Sequence, residues 1–281
     1  ILAEQHFLQF YRHLEELGLK TAFLTGSTTR KEKEALLREL VAGGIHLLVG
    51  THALLEKDVV FQRLGLVIID EQHRFGVLQR ADLRGKGVRP DTLVMTATPI
   101  PRSLFMTAYG DLSLSVIDEL PPGRSPIKTF ILNEEKRESA YSALKREVAK
   151  GRQGFIVYPL IKESEALDLQ AAEKGFEDLK KNVFQSMKMN LLHGRLKPVE
   201  KERIMAGFRD RRCDILVATT VIEVGIDIPN ATLMIVENAD RFGLSQLHQL
   251  RGRIGRGSHK GTCVLIASKA ISADGKKRLQ V

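Results

Sequence analysis

The chain has 281 residues, 43% of them apolar and 27% charged, which suits about two globular domains and is too apolar for a disordered chain. No apolar run reaches the roughly 18 residues of a membrane span, the opening ILAEQHFLQF lacks the basic start of an export signal, and Cys213 and Cys263 are too few for a disulfide framework or a thiolate zinc site. A reducing cytosol is the expected compartment. Net charge is +9: residues 1–118 carry 14 basic and 14 acidic side chains and the remainder 29 and 20, so the excess that would attract a polyanion lies entirely in the second part.

Short Val-, Ile- and Leu-rich runs alternate with longer amphipathic stretches, the pattern of βαβ units around a buried parallel sheet, so the fold class is α/β. Phe7, Phe10, Tyr11, Leu14 and Leu17 open the chain with a helical stripe. Strands are expected at Thr21–Thr25, Ile45–Val49, Leu66–Asp70 and Thr92–Thr96. Between the first two, Thr29 and Glu32 form a capping-box pair ahead of Ala35, Leu36, Leu37, Leu40 and Val41, and Gly43-Gly44 ends that helix.

The segment Asp118–Pro126 is rich in proline and reads as a linker, dividing the chain into domains 1–120 and 121–281. After it the scheme repeats, with strands expected at Ile127–Ile131, Gly154–Tyr158, Met189–Leu192, Asp214–Thr219, Leu233–Glu237 and Thr262–Ala267. Ala140, Tyr141, Leu144 and Val148 line one helix that stops at Gly151, and Pro198 starts another with Ile204, Met205 and Phe208 on its apolar side. Two such units imply a cleft between domains, where ligands tend to bind. The charged, helix-prone stretch Glu163–Lys181 is given no chemistry.

Asp70 and Glu71 stand at the carboxyl end of a buried strand, the sheet edge at which open α/β folds bind ligands. Asp70 suits Mg²⁺ held through water and Glu71 suits an attacking water, although an isolated Asp-Glu pair is more often a solvated turn. Thr96 and Thr98 follow the next strand, and the run Ala218–Pro229 offers hydroxyls, backbone N–H groups and Asp227 after another. Each taken alone is compatible with ordinary loop chemistry. The most specific run is Gln246–Gly257, in which Arg253 and Arg256 lie three residues apart among glycines, a pattern that suits a phosphate clamp. These glycines forfeit helix propensity with no packing reason visible in the sequence.

Taken together and in order, these pieces resemble the motor of superfamily 2 helicases and, in detail, the RecG family of branched-DNA helicases. The resemblance lies in Asp70-Glu-Gln-His-Arg-Phe-Gly-Val77, Thr96-Ala-Thr-Pro-Ile-Pro-Arg102, Ala108-Tyr-Gly-Asp111, Asp118-Glu-Leu-Pro-Pro-Gly-Arg124 and Leu191-Leu-His-Gly-Arg195, and runs through nearly the whole chain. The transcription-repair coupling translocases share the Phe-Gly-Val and Thr-Pro-Ile-Pro-Arg elements but match less well at the linker and at Gln72-His73. The resemblance implies two RecA-like domains that bind ATP and Mg²⁺ and act on branched or forked DNA as a monomer. It assigns Asp70 and Glu71 to Mg²⁺ and the attacking water, and Arg253 and Arg256 to the arginine fingers. Gln249 becomes the γ-phosphate sensor, with Gly225, Asp227 and His73 as nucleotide contacts. Thr25, Gly26, Ser27, Thr51, His52, Arg195, Thr219 and Thr220 fall at the family's DNA-backbone contacts, and Thr96, Thr98 and Arg102 at its coupling residues.

The phosphate-cradling pattern G-x-x-x-x-G-K-[ST] does not occur in the 281 residues. The expectation is that the chain begins just after it, that the first domain is weakened, and that the piece alone does not hydrolyse ATP. A noncatalytic DNA-binding fragment, a carboxylate nuclease and an RNA helicase are the alternatives. The first would not need Asp70 or Glu71, the second would leave the arginine run unexplained, and backbone contacts alone do not identify the sugar.

Overall fold

Short parallel strands feeding helices build both units into which the chain divides, Ile1–Pro99 and Ile100–Val281. A computed structural model describes residues 2–71, 85–96, 113–119, 125–159, 165–219, 228–268, 275 and 279. Every strand expected from the sequence is present among them, with ends moved by no more than two residues. Residues 120–124 of the Pro-rich linker lie outside the described residues.

The first unit runs α1 (Leu2–Glu15), β1 (Thr21–Leu24), α2 (Arg30–Val41), β2 (Leu47–Gly50), β3 (Leu66–Ile69) and β4 (Asp91–Val94). β1 pairs in parallel with β2, Leu24 opposite Gly50, and β3 with β4, Ile69 opposite Val94. α2 begins with the capping box: Thr29 N–H donates to Glu32 Oε2 at 3.1 Å, and Glu32 N–H donates back to Thr29 Oγ1. It ends where Gly43 turns the backbone left-handed at φ +78°. The buried apolar residues form two small clusters, Leu24, Leu40, Ala53 and Val59, and Val67 with Ile69. The helical stripe at the start of the chain does form α1 as far as Leu14, with Leu17 in the turn beyond it, yet no residue of the helix is buried. Phe7 stacks on Phe23 of β1 at 5.2 Å between ring centroids, while Phe10 and Tyr11 stay exposed. Helical periodicity locates an apolar face and says nothing of how completely a neighbour covers it.

The second unit is a six-stranded parallel sheet in the order β5-β10-β9-β6-β8-β7. Its strands are β5 (Lys128–Asn133), β6 (Gln153–Val157), β7 (Met189–Leu192), β8 (Ile215–Ala218), β9 (Ala231–Val236) and β10 (Thr262–Ala267). Its helices are α3 (Arg137–Ala149), α4 (Glu165–Asp178, continued by a π turn over Leu179–Val183), α5 (Pro198–Arg209) and α6 (Leu244–Arg251). β6, β8 and β9 are buried at every position, as strands covered on both faces must be. On one face Phe155, Leu216 and Met234 pack with Phe208 of α5 and Leu247 and Leu250 of α6. On the other, Ile156, Val217 and Ile235 pack with Tyr141 and Leu144 of α3. Gln153 is pinned inside this core, its Nε2 donating to the carbonyls of Phe208 and Cys213 at 2.7 Å each and its Oε1 accepting from Asn230 at 3.1 Å. Such satisfaction is what makes a buried amide tolerable.

Candidate functional site

In the first unit, β3 delivers Asp70 and Glu71 at its carboxyl end, and β4 delivers Thr96 beside them, because Ile69 and Val94 are register partners. Asp70 is half-buried: its Oδ1 accepts the Glu71 N–H at 2.8 Å, and its Oδ2 accepts from His6 Nε2 of α1 at 3.0 Å. Glu71 is buried and sits in the left-handed region at φ +52°, an expensive conformation for a side chain with a Cβ. Strain of this kind collects where a side chain must be aimed.

The other pair of strands builds a second edge. Thr25, Gly26 and Ser27 follow β1, while Thr51 and His52 follow β2, and the Leu24–Gly50 pairing sets the two turns side by side. Thr51 N–H donates to the Leu24 carbonyl at 3.3 Å, Thr25 N–H to Thr28 Oγ1 at 3.0 Å, and the hydroxyls of Thr25 and Ser27 lie 2.9 Å apart. Gly26, Ser27, Thr51 and His52 are exposed. The edge therefore presents hydroxyls to solvent, as contacts to a phosphate backbone require.

In the second unit, α6 carries Gln249 with its side chain buried, and the turn after it buries Arg253 and Ile254 while leaving Arg256 exposed. Arg256 Nε donates to the Gly252 carbonyl at 2.9 Å. Burial, with Arg251 alongside, holds His248 below its ordinary pKa. The glycines of this run do have packing reasons, contrary to the sequence reading. Gly255 is left-handed at φ +64°, and a Cβ there would lie 3.1 Å from Gly261; at Gly257 a Cβ would lie 2.5 Å from the Pro229 carbonyl oxygen. That second contact brings the arginine run against the end of the Ala218–Pro229 loop, two motifs that the sequence could not place together.

Arg195 is exposed in the turn after β7, and Thr219, directly after β8, is fully buried. His73, Thr98, Arg102, Thr220, Gly225 and Asp227 lie outside the described residues. The sequence reading missed two side chains here. His6 looked like any polar residue of an amphipathic helix, and Glu237 looked like an ordinary residue after a strand. Glu237 is buried, accepting from Tyr141 Oη at 2.6 Å and from Arg137 Nε at 3.1 Å. Burial and then the Glu237 carboxylate push the Tyr141 phenol upward.

Among the described residues no group of three or more His, Cys, Asp or Glu is placed to hold a metal, and no helix is long and apolar enough to cross a membrane. The half-exposed carboxylate of Asp70 fits Mg²⁺, which keeps several waters and takes only one or two protein carboxylates.

A sequence model of DEAD/DEAH box helicases matches residues 1–107, and one of the helicase conserved C-terminal domain matches residues 135–258. The ATP-dependent DNA helicase RecG of Synechocystis sp. is 53% identical over all of this chain, and that of Thermotoga maritima 49%. Along its whole length the chain is similar to RecG. It spans 34% and 36% of the length of those two RecG relatives. A solved structure of RecG bound to a three-way DNA junction superposes on 99% of the chain with a TM-score of 0.76 at 47% identity, covering 36% of that RecG chain. The yeast protein Dbp5, solved with RNA and ADP BeF3, reaches a TM-score of 0.73 over 99% of this chain and 71% of its own, but at 17% identity it shows the shared fold alone. The architecture is thus the RecA-like one of superfamily 2 helicases, as the strand order and helical layers indicated.

Proposed function

We propose that this chain is the motor segment of an ATP-dependent DNA helicase of RecG type that remodels forks and junctions, working as a monomer in the bacterial cytosol. The observation that carries this reading is the placement of Asp70 and Glu71 directly after β3, with Glu71 buried and held in a left-handed backbone. When bound, Mg-ATP would supply the phosphoryl group whose transfer to water drives the cycle. Asp70 would hold the metal through its water shell, and Glu71 would orient the attacking water. Gln249, Gly225, Asp227 and His73 would contact the nucleotide, and Arg253 and Arg256 would stabilise charge developing on the transferring group. Thr25, Gly26, Ser27, Thr51 and His52 of one unit, and Arg195 with Thr219 and Thr220 of the other, would grip the DNA backbone. Thr96, Thr98 and Arg102 would couple the two activities, so that affinity for DNA alternates with nucleotide state. The domain division is proposed at 120/121.

The test has two arms. The chain should bind forked DNA with an affinity that falls steeply between low and moderate salt. In a full-length RecG protein carrying this segment, Arg253→Ala or Arg256→Ala should lower DNA-stimulated ATP turnover by about 10³-fold or more. Salt-insensitive binding, or unchanged turnover in either variant, would contradict the reading.

A further inference from the structure

Two enclosed polar atoms of the second unit have no hydrogen-bond partner among the described residues and follow the ends of neighbouring strands: Thr219 Oγ1, directly after β8, and His193 Nδ1, directly after β7. The two strands are neighbours with Leu192 opposite Ala218, and the Thr219 N–H donates to the Leu192 carbonyl at 3.2 Å. Leu192 and Ala218 both point into one core cluster, so strand alternation turns the next residue of each strand to the opposite face, on backbones about 4.8 Å apart. Thr219 is completely enclosed, whereas the His193 ring is half-buried and opens the turn in which Gly194 and Arg195 are exposed. An enclosed hydroxyl and an enclosed ring nitrogen at such a spacing are complementary, one a donor and the other an acceptor. Neutral imidazole that accepts at Nδ1 carries its proton on Nε2.

We propose that His193 is a further DNA-backbone contact: in the bound state Thr219 donates its hydroxyl hydrogen to His193 Nδ1, and His193 Nε2–H donates to a phosphodiester oxygen next to the one that Arg195 meets. Thr219 then acts as a positioning residue behind the ring, so that its part in the grip on the DNA backbone passes through His193. The two unmet atoms find each other when the ring turns towards the strand end. Contacts of this kind fix the position of the backbone without reading bases. The proposal rests on the nucleic-acid reading of the second unit.

Forked DNA binding to the whole 281-residue chain, followed by fluorescence anisotropy, separates the outcomes. His193→Ala should weaken binding about tenfold, as expected for a hydrogen bond to a charged oxygen. His193→Gln, whose amide nitrogen reaches the position of Nε2, should stay within about threefold of the parent. Thr219→Val, which keeps the shape and removes the hydroxyl, should weaken binding by a smaller factor, about threefold. Long-range ¹H–¹⁵N correlation of the unsubstituted, DNA-bound chain needs no variant to fold. It should place the His193 proton on Nε2 with a hydrogen-bonded Nδ1, and Thr219→Val should erase the Nδ1 signature. Parent-like affinity of His193→Ala, or a proton on Nδ1, overturns this contact while leaving the helicase reading intact. Failure of the unsubstituted chain to bind DNA overturns both.

Discussion

Glu237 shows what a single buried carboxylate contributes to the second unit. Its two partners, Tyr141 and Arg137, come from α3, so the three side chains tie the end of β9 to the helix that covers it. Glu237→Ala would take the carboxylate from a buried phenol and from a guanidinium that is about one-third exposed and keeps its ion pair with Glu134. The loss should be about 2 kcal/mol, below the value for a fully buried pair because water reaches Arg137, and a urea titration of the chain would measure it. Glu147 makes a complementary prediction about acid. Burial raises its pKa, but hydrogen bonds from Lys150, Arg152 and Thr232 outweigh that and bring it down to about 2. A carboxyl group lowered on folding stabilises the protein above its unfolded pKa and loses that contribution as pH falls through the folded value. Stability should therefore decline between about pH 4.5 and pH 2, and Glu147→Gln should flatten that limb of a stability-against-pH curve. Unaltered acid sensitivity in the variant would contradict the assignment.

At the scale of elements, glycines separate packing from propensity. Gly207 lies within α5 with open space around a would-be Cβ, so Gly207→Ala should raise stability by about 0.5–1 kcal/mol through helix propensity. Gly257 is the opposite case, since its Cβ would meet the Pro229 carbonyl oxygen at 2.5 Å, a backbone atom with nowhere to move cheaply. Gly257→Ala should cost about 1–3 kcal/mol and displace the arginine run. Thermal melts of the two variants should move in opposite directions, and a shared direction would show that the contact at Pro229 yields. The strands themselves were plain in the sequence, because runs such as Ile215–Ala218 are apolar throughout and bounded by polar residues. α1 was equally plain as a helix, but its exposure was not, because coverage depends on what the rest of the chain lays against it.

Across the whole molecule the core is unevenly shared. The second unit encloses both faces of β6, β8 and β9 and leaves its edge strand β5 largely open, whereas β3 alternates between exposed and buried positions and leaves Leu66 and Ile68 open. Amide hydrogen exchange should accordingly be slowest in β6, β8 and β9 and markedly faster in β3, β4 and α1, with equal protection throughout as the contrary result. The sequence by itself determined the α/β class, the ten strands, the Thr29–Glu32 cap and the carboxylate, threonine and arginine motifs, because each depends on residues a few positions apart. Only the tertiary structure decided that His6 meets Asp70 across 64 residues and Tyr141 meets Glu237 across 96. It alone also set Gly257 against Pro229 and put Thr219 and His193 at the ends of neighbouring strands. Those encounters follow from the order in which strands pair and the face each helix covers, and local periodicity records neither.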